Sequence, residues 1–360
     1  MTTVDPATER VAPGDRVDAA GAAAERDVEI LGPATGESMS VPDAAALRAV
    51  AGELLDADHV TILSHVRPDA DSIGSGLALK IALERVGVTV EFGVPGRWGM
   101  SQSMDWMPQA ASVLPASKLV GYSTVVAVDC ASPGRLGEGL TTFERAKFSA
   151  VLDHHASNKG FGTIAIINDN ADSCAEVVLD LLDAADLPVD IDIAECVYAG
   201  LVTDTESFRS SRPRSFEIAA RLLALGVDGQ LVARRLLDAR PFTWLQMLSK
   251  VLHEAQMVRE VAGGAGLIYA VVPLDFASNV AWEDTETVID VVTSVNEAEI
   301  AAVLKETSPG HWSVSLRSRG ITDVSAVASS FGGGGHRSKA GYVDIGASLE
   351  VCERLIRSLV

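Results

Sequence analysis

Five short apolar runs, rich in β-branched residues, alternate with helical patterns in the first half of the chain. They are VTILSH (60–65), VTVEFGV (88–94), TVVAVD (124–129), SAVLDHH (149–155) and TIAIIND (163–169). Runs that are apolar throughout, rather than at every second residue, are typical of strands buried on both faces of a parallel sheet. The pattern therefore predicts an α/β fold with a doubly wound parallel sheet, in which ligands bind beyond the carboxyl ends of the strands.

The chain is 360 residues long, which is enough for a second domain. GLIYAVVPL, TVIDVVTSV and EIAAVLKETSPGHWSVSLRS, followed by a glycine-rich loop and a last helix, predict a smaller α+β domain. The stretch 245–261 has helical periodicity and is predicted to be a linker helix. We expect a disordered tail at 1–40, a catalytic domain at 41–238, a linker region at 239–262 and a second domain at 263–360.

Charge and cysteine content exclude several functional classes. A formal net charge of -20 argues against a protein that binds long duplex nucleic acid, although a short anionic substrate needs only a local group of cations. Four cysteines without C-x-x-C spacing favour neither a disulfide framework nor a thiolate zinc site. The sequence has neither an apolar run of membrane-spanning length nor the residue order of a secretory signal, so we expect a cytoplasmic protein without membrane association.

Acidic residues and histidines stand at the ends of the predicted strands or shortly after an element. They are His65, Asp69, Asp71, Asp129, Asp153, His154, His155 and Asp204. Buried charge is costly unless it is compensated, and metal ions would compensate all of these groups at once. Imidazole together with carboxylate suits Mn²⁺, and two such ions can activate water and stabilise both oxygens of a phosphoester displacement. The pattern predicts phosphoester hydrolysis with two Mn²⁺ ions, for which Mg²⁺ is a candidate substitute.

The same segments resemble a known family. HVRPDADSIGS, VVAVDCAS, LDHH and GLVTDTESF are similar to the four signature motifs of the DHH phosphoesterase superfamily. SLRSRGITDVSAVASSFGGGGHRSKAG resembles the accompanying DHHA1 domain, so the resemblance extends over residues 45 to 345. It implies a homodimeric hydrolase of short RNA oligomers that also removes the 3'-phosphate of adenosine 3',5'-bisphosphate. Some relatives cleave cyclic di-AMP or pApA, and the sequence does not rank these substrates.

The resemblance also assigns roles to residues. It places His65, Asp69 and Asp129 on one ion and Asp71, Asp129, His154 and Asp204 on the other, so that Asp129 bridges the two. His155 would face the substrate, and Asp153 would orient a histidine. In the second domain, the substrate-binding candidates are Arg317, Arg319, Gly333, Gly334, Gly335 and His336, with Arg337 and Lys339 as further candidates.

Simpler interpretations stay open for several of these residues. Asp69 alone is typical of a helix cap, and four glycines alone are typical of a flexible turn. Arg212 and Arg214 flank a helix-start proline, which favours a structural role for both. An aromatic and methionine stretch would stack a base or, as we favour, pack against the sheet edge; it contains Trp98, Met100, Met104, Trp106 and Met107.

Two other functions compete with the oligonucleotide hydrolase. The first is a family II type inorganic pyrophosphatase, which shares the metal motifs but against which the arginine strand and the GGGGH loop argue. The second is a nucleotide-binding regulator without catalysis, against which the complete set of metal motifs argues. A processive single-strand exonuclease is disfavoured by the net charge.

Overall fold

The computed structural model describes residues 43–96 and 99–360, all within one compact unit. The predicted disordered tail, Val41, Pro42 and Trp98 lie outside the described residues. Two six-stranded sheets with flanking helices build this part of the chain. The predicted α/β architecture with a parallel sheet is confirmed. Among the described helices, none combines the length and apolar character that a membrane crossing requires.

The first sheet is parallel throughout, with the strand order β3-β2-β1-β4-β5-β6. Its strands are β1 (His59–Leu63), β2 (Thr89–Val94), β3 (Leu114–Pro115), β4 (Thr124–Val128), β5 (Phe148–Asp153) and β6 (Ile164–Ile167). The central strands are buried along nearly their whole length, which explains why their sequences are apolar at every position. The order places β4 between β1 and β5, so the carboxyl ends of these three strands are neighbours.

Helices cover both faces of this sheet. They are α1 (Ala44–Leu55), α2 (Ala70–Arg85), α3 (Leu140–Arg145), α4 (Cys174–Ala184), α5 (Ile191–Asp204), α6 (Pro213–Ala224) and α7 (Gly229–Ala233). One core cluster joins α1, α2, α4 and α5 to the sheet, and a smaller one packs α3 on the opposite face around Leu136 and Phe143. Met104 and Met107 are buried in the larger cluster, with Met100 and Trp106 packed against it, as the packing interpretation predicted.

Helices α2 and α5 approach each other closely because glycines face the contact. A Cβ atom on Gly74 would lie 2.3 Å from the carbonyl oxygen of Cys196, and one on Gly200 would lie 2.5 Å from Oδ1 of Asp71. Real side chains never reach such distances, so only glycine fits at both positions. This close packing brings Asp71, in the first turn of α2, near the carboxyl end of α5, where Asp204 lies.

The second sheet has the order β11-β12-β10-β9-β8-β7, in which only the β8–β9 pair is parallel. Its strands are β7 (Gln256–Val258), β8 (Leu267–Val272), β9 (Ile300–Ser308), β10 (His311–Ser318), β11 (Gly334–Gly335) and β12 (Lys339–Ile345). The helices of this half are α8 (Phe242–His253), α9 (Trp282–Glu286), α10 (Val288–Val292), α11 (Val324–Ser330) and α12 (Ser348–Arg357).

The helix predicted over 245–261 is wrong in its second half. Helix α8 ends at His253, and Gln256–Val258 forms strand β7, which pairs antiparallel with β8. The helix packs its buried residues Met247, Leu248 and Val251 in one core cluster with the β8 residues. This segment is therefore part of the packing layer of the second sheet.

Candidate metal centre

Parallel strands bring distant residues to one edge of the first sheet. His65 follows β1, Asp129 follows β4, and His154 follows β5 directly. The Asp129 N–H donates to the carbonyl oxygen of Leu152 at 2.9 Å, which continues the β4–β5 pairing one residue beyond the strand. Asp129 has φ 53°, in the left-handed region that aspartate and asparagine adopt more readily than most residues.

A first group of ligand atoms surrounds His65. Its Nε2 lies 3.1 Å from Oδ2 of Asp129 and 3.7 Å from Oδ2 of Asp69. Asp69 also caps α2, because its Oδ1 accepts the N–H of Ser72 at 3.0 Å. The cap and the cluster use different oxygens, so the capping interpretation of Asp69 is compatible with a ligand role.

A second group surrounds His154. Its Nε2 lies 3.2 Å from Oδ2 of Asp204, 3.5 Å from Oδ1 of Asp129 and 3.9 Å from Oδ2 of Asp71. The carboxylate of Asp71 is oriented by the amino end of α4, where the N–H groups of Cys174 and Ala175 donate to it at 2.6 and 2.9 Å. The positive end of that helix favours the charged form of the carboxylate.

Asp204 occupies an unfavourable position for a carboxylate. It is the last residue of α5, where the helix dipole is negative. After it, Glu206, Ser207 and Phe208 have φ values of 52°, 59° and 65°. Three consecutive non-glycine residues in the left-handed region cost of order 1–2 kcal/mol each. A strained turn beside a misplaced carboxylate is typical of a functional site.

Histidines and carboxylates perturb one another strongly in this cluster. Burial lowers the pKa of His65, but the charge of Asp69 and the hydrogen bond to Asp129 outweigh burial and raise it to about 10. For His154, the neighbouring carboxylates of Asp129 and Asp204 likewise overcome burial and raise the pKa well above its ordinary value. Burial, together with the charges of Asp204 and Asp129, raises the pKa of Asp71. Without a cation, the cluster therefore retains protons at neutral pH.

The residues fit divalent cations. Oδ1 of Asp129 is buried and has no hydrogen-bond partner, although it lies at the centre of the cluster. Three sets of side chains each bring their ligand atoms within 4.8 Å of one another. The sets are His65–Asp69–Asp129, Asp71–His154–Asp204 and Asp129–His154–His155. Two ligand atoms that each lie about 2.1 Å from one ion, at an angle of about 90°, are about 3 Å apart. The shortest nitrogen–oxygen distances in the cluster, 3.1 and 3.2 Å, are close to this value. Imidazole nitrogen with carboxylate oxygen is a donor set for first-row divalent metals.

His155 is held at the edge of the cluster. Its Nδ1 donates to Oδ1 of Asp153 at 2.8 Å, and Nδ2 of Asn158 donates to Oδ2 of the same carboxylate at 2.7 Å. The His336 ring, from the second sheet, stacks on the His155 ring with centroids 5.1 Å apart. Burial and the charges of His155 and His154 lower the pKa of His336 to about 4, so its imidazole is neutral at pH 7.

Two cavities meet beside the cluster. The metal-site cavity, about 380 Å³, is lined by His65, Asp69, Asp129, His154, His155 and Asp204 and, from the second domain, by His336, Ser338 and Lys339. The large cavity, about 810 Å³, includes Trp282, Phe331, Gly333 and Tyr342 in its wall. Asp69 and Arg135 line both cavities. A bound molecule can therefore extend from the cluster into the large cavity.

The predicted substrate residues differ in where they lie. Gly333 and His336 line the cavities, whereas Arg317 and Arg319 are absent from both linings. Arg319 donates to Thr293 and Asn296, and Arg317 to the carbonyl oxygen of Leu316. The further candidate Lys339 pairs with Glu206 at 2.6 Å across the two domains. Arg337 donates to the carbonyl oxygen of Ile321, and Arg212 and Arg214 pair with Asp172 and Asp180.

The remaining glycines of the loop have different surroundings. Gly335 has φ 144° and is in tight contact with the β12 backbone, where an added Cβ would lie 2.4 Å from the carbonyl oxygen of Lys339. Gly334 is exposed, and an added Cβ would meet no atom within 4 Å. Glycine is thus required by packing at Gly335 and not at Gly334.

Two arginines in the cavity walls were not predicted from the sequence. Arg67 lies inside the HVRPD segment, and Arg135 lies six residues after Asp129. Their positions next to the metal motifs are the signal that was available. Neither the periodicity nor the motif spacing predicts that the two side chains line one cavity.

Comparisons with known proteins identify two family domains in this chain. The model of the DHH family, N-terminal domain, matches residues 59–201, and the model of the DHHA1 domain matches residues 264–347. The bifunctional oligoribonuclease and PAP phosphatase NrnA of Thermus thermophilus is 30% identical over 321 residues, covering 88% of this chain and 92% of that protein.

Two other matches are more distant. The cyclic-di-AMP phosphodiesterase GdpP of Geobacillus thermodenitrificans is 24% identical over 80% of this chain, which spans only 45% of that protein. The crystal structure of an exopolyphosphatase-related protein from Bacteroides fragilis superposes with a TM-score of 0.79 at 22% identity, covering 88% of this chain and 97% of that one. The last match concerns the fold alone. With both domains and the motif order in place, the chain belongs to the DHH family of phosphoesterases and carries a DHHA1 domain.

Proposed function

We propose that the protein hydrolyses short oligoribonucleotides, including pApA, as well as the 3'-phosphate of adenosine 3',5'-bisphosphate and cyclic di-AMP. The observation that carries the proposal is the convergence of His65, Asp129, His154 and Asp204 beside a cavity. His65, Asp69 and Asp129 would hold one Mn²⁺ ion, and Asp71, Asp129, His154 and Asp204 would hold the other.

Side chains of the protein would bind the substrate and transfer protons beside the metal ions. Two bound cations would supply an activated water and neutralise charge on the phosphoryl group. Asp153 holds Nδ1 of His155, and the imidazolium form of that ring would donate from Nε2 to a phosphate oxygen or to the leaving group. Neutral His336, stacked on His155, would contact the substrate from the other domain.

Cavity size and charge support a short substrate. The volumes of about 380 and 810 Å³ lie in the range of small-ligand pockets, about 300–1,000 Å³. A net charge of -20 opposes binding of long polyanions. The name of the Thermus thermophilus relative supports short RNA and bisphosphate substrates, and that of GdpP supports cyclic di-AMP.

The second domain would hold the substrate against the metal centre. Gly333, Gly334 and Gly335 precede His336 in a loop facing the catalytic domain, and the Lys339–Glu206 ion pair ties this loop to the turn after Asp204. Arg317 and Arg319 remain substrate-binding predictions from the resemblance alone.

The sequence pattern contributes two further parts of the proposal, the domain limits 41–238, 239–262 and 263–360 and a cytoplasmic location. The resemblance contributes a homodimeric state. The limits are supported by the two family matches, which fall inside the first and the last range.

A substrate panel tests the proposed function. We expect the protein with Mn²⁺ to cleave pApA to AMP and to release phosphate from adenosine 3',5'-bisphosphate, with lower rates in Mg²⁺ and none in EDTA. Cyclic di-AMP, a five-nucleotide RNA and pyrophosphate complete the panel, and products are separated by chromatography. Preferential cleavage of pyrophosphate would instead identify an inorganic pyrophosphatase, and binding of cyclic di-AMP without hydrolysis of any member would identify a regulator.

Metal binding is expected to release protons. His65 and His154 both have raised pKa values and are protonated at pH 7, so a cation that takes their lone pairs must displace about two protons. Because protons compete with the metal, Mn²⁺ affinity should rise between pH 6 and pH 8. Calorimetry at pH 7 in buffers of different ionisation enthalpy measures the number released. A binding enthalpy independent of the buffer would contradict this ligand assignment.

A further inference from the structure

Two arginines stand where the metal-site cavity opens into the large cavity. Arg135 lines both cavities, and Arg67 lines the large cavity beside Asp69. Their backbones are tied together, because the N–H of Val66 donates to the carbonyl oxygen of Arg135 at 2.8 Å. Gly137 packs so closely on this turn that an added Cβ would lie 2.9 Å from Val66. The two arginines therefore extend from closely packed backbone segments next to His65.

Neither guanidinium has an acidic partner. Within residues 43–96 and 99–360, no carboxylate lies within ion-pair distance of Arg67 or Arg135. Arg67 lies over the Trp282 ring, with Cζ 5.2 Å from the centroid. By contrast, Arg240 in the wall of the same cavity pairs with Asp284 at 3.6 Å. The cavity wall also contains Asp69, Glu283 and Glu286, but the two arginines have no ion-pair partner there and offer their donors to an anionic ligand.

The His65 ring, which contacts Arg135, offers its guanidinium no hydrogen-bond acceptor once His65 binds a metal ion. Nδ1 of His65 lies 2.9 Å from Nη2 of Arg135 and 2.9 Å from the carbonyl oxygen of Val66. With Nε2 as the lone-pair atom facing Asp129, the ring proton is on Nδ1 and is donated to Val66. A guanidinium has only donors, so this nitrogen offers it no acceptor. The side chain then has a hydrogen-bonding group free for another molecule.

We propose that Arg67 and Arg135 together bind a second phosphate of the substrate, one that is not cleaved, at the entrance to the large cavity. Planar guanidinium groups match phosphate oxygens in two-point hydrogen bonds. The site selects nucleotides that carry two phosphates, such as 5'-phosphorylated dinucleotides and nucleoside 3',5'-bisphosphates, over analogues that carry one. This inference rests on the proposed function and names the substrate feature that the arginines recognise.

The test compares pApA with ApA, which lacks the terminal phosphate, in the wild-type protein and in an Arg67→Gln/Arg135→Gln double variant with Mn²⁺. We expect the wild type to prefer pApA in kcat/KM by about a hundredfold, as two charged hydrogen-bonded contacts provide. The double variant should lose this preference and cleave pApA at about the rate at which it cleaves ApA. Arg240→Gln, in the same cavity wall but paired with Asp284, should keep the wild-type preference.

Binding provides a readout that does not depend on turnover. In EDTA, AMP should bind more tightly than adenosine in calorimetry, and the double variant should lose most of this difference, which measures the contribution of the two arginines. Saturating Mn²⁺ for each protein in the rate measurements separates a loss of substrate binding from an effect through His65, which lies 2.9 Å from Arg135. Arg135→Lys, which keeps the charge, should retain part of the preference.

The outcomes separate the two proposals. A wild-type protein that cleaves neither dinucleotide with Mn²⁺ overturns the proposed function. Equal cleavage of pApA and ApA by the wild type, or an equal loss for both substrates in a folded double variant, overturns the second-phosphate site and leaves the hydrolase assignment in place.

Discussion

Replacement of Asp129 by asparagine is expected to lower Mn²⁺-dependent turnover of pApA by at least about a thousandfold, or about 4 kcal/mol of transition-state stabilisation. Asp129 is the side chain that reaches both histidine groups, with Oδ2 3.1 Å from His65 and Oδ1 3.5 Å from His154. Asparagine keeps the shape and tolerates the left-handed backbone at φ 53°. It removes the negative charge that two cations would share.

A matched control separates loss of charge from loss of fold. Asp186 is exposed and also has φ 54°, so Asp186→Asn makes the same substitution in the same backbone conformation away from the site. We expect wild-type activity from that control. Adding Mn²⁺ should raise the Tm of the wild type and of Asp186→Asn, and raise that of Asp129→Asn much less. Activity of Asp129→Asn within tenfold of wild type would exclude a bridging role.

The metal cluster could be predicted from the sequence because most of its residues directly follow predicted strands. Each of His65, Asp129 and His154 stands where an apolar run stops, and parallel strands place such positions on one edge. The packing of α2 on α5, which brings Asp71 to Asp204, depends on Gly74 and Gly200, and nothing in the periodicity of either helix indicates it. Their positions after a predicted strand and helix made these two aspartates candidates, and the motif resemblance assigned both to one ion.

Features that depend on contacts between distant parts of the chain could not be predicted from the sequence. Arg317 and Arg319 have the spacing of side chains on one face of a strand, but β10 ends at Ser318 and Arg319 turns to Thr293 and Asn296. The apolar periodicity of 245–261 continues past His253, yet strand pairing with β8 takes the chain out of the helix. Tertiary contacts override local pattern in both cases. Arg135 lines the large cavity only because the Pro133–Gly139 segment packs on the turn after β1.

Alanine at Gly333 is expected to damage the second domain, whereas alanine at Gly334 should be tolerated. An added Cβ on Gly333 would lie 2.2 Å from the carbonyl oxygen of Gly341 and 2.5 Å from Cβ of Tyr342, which belong to β12 and cannot move independently. Overpacking of this kind costs about 1–3 kcal/mol and should lower Tm by about 3 to 10 °C. The Gly333 N–H also donates to Ala328 in α11 at 2.9 Å, so displacing this residue disturbs the loop that carries His336.

The two adjacent variants thus distinguish packing from substrate contact. Gly333→Ala should reduce kcat/KM for pApA by at least about tenfold together with the fall in Tm, because Gly333 lines the large cavity and its loop positions His336. Gly334→Ala has open space around the new methyl group and should keep the wild-type Tm. A raised KM in Gly334→Ala at unchanged Tm would then measure how closely the loop backbone approaches the nucleotide. Calorimetric melting and initial rates measure the Tm and kcat/KM of both variants. A Gly333→Ala protein with the wild-type Tm and kcat/KM would show that the loop accommodates the methyl group, which contradicts this prediction.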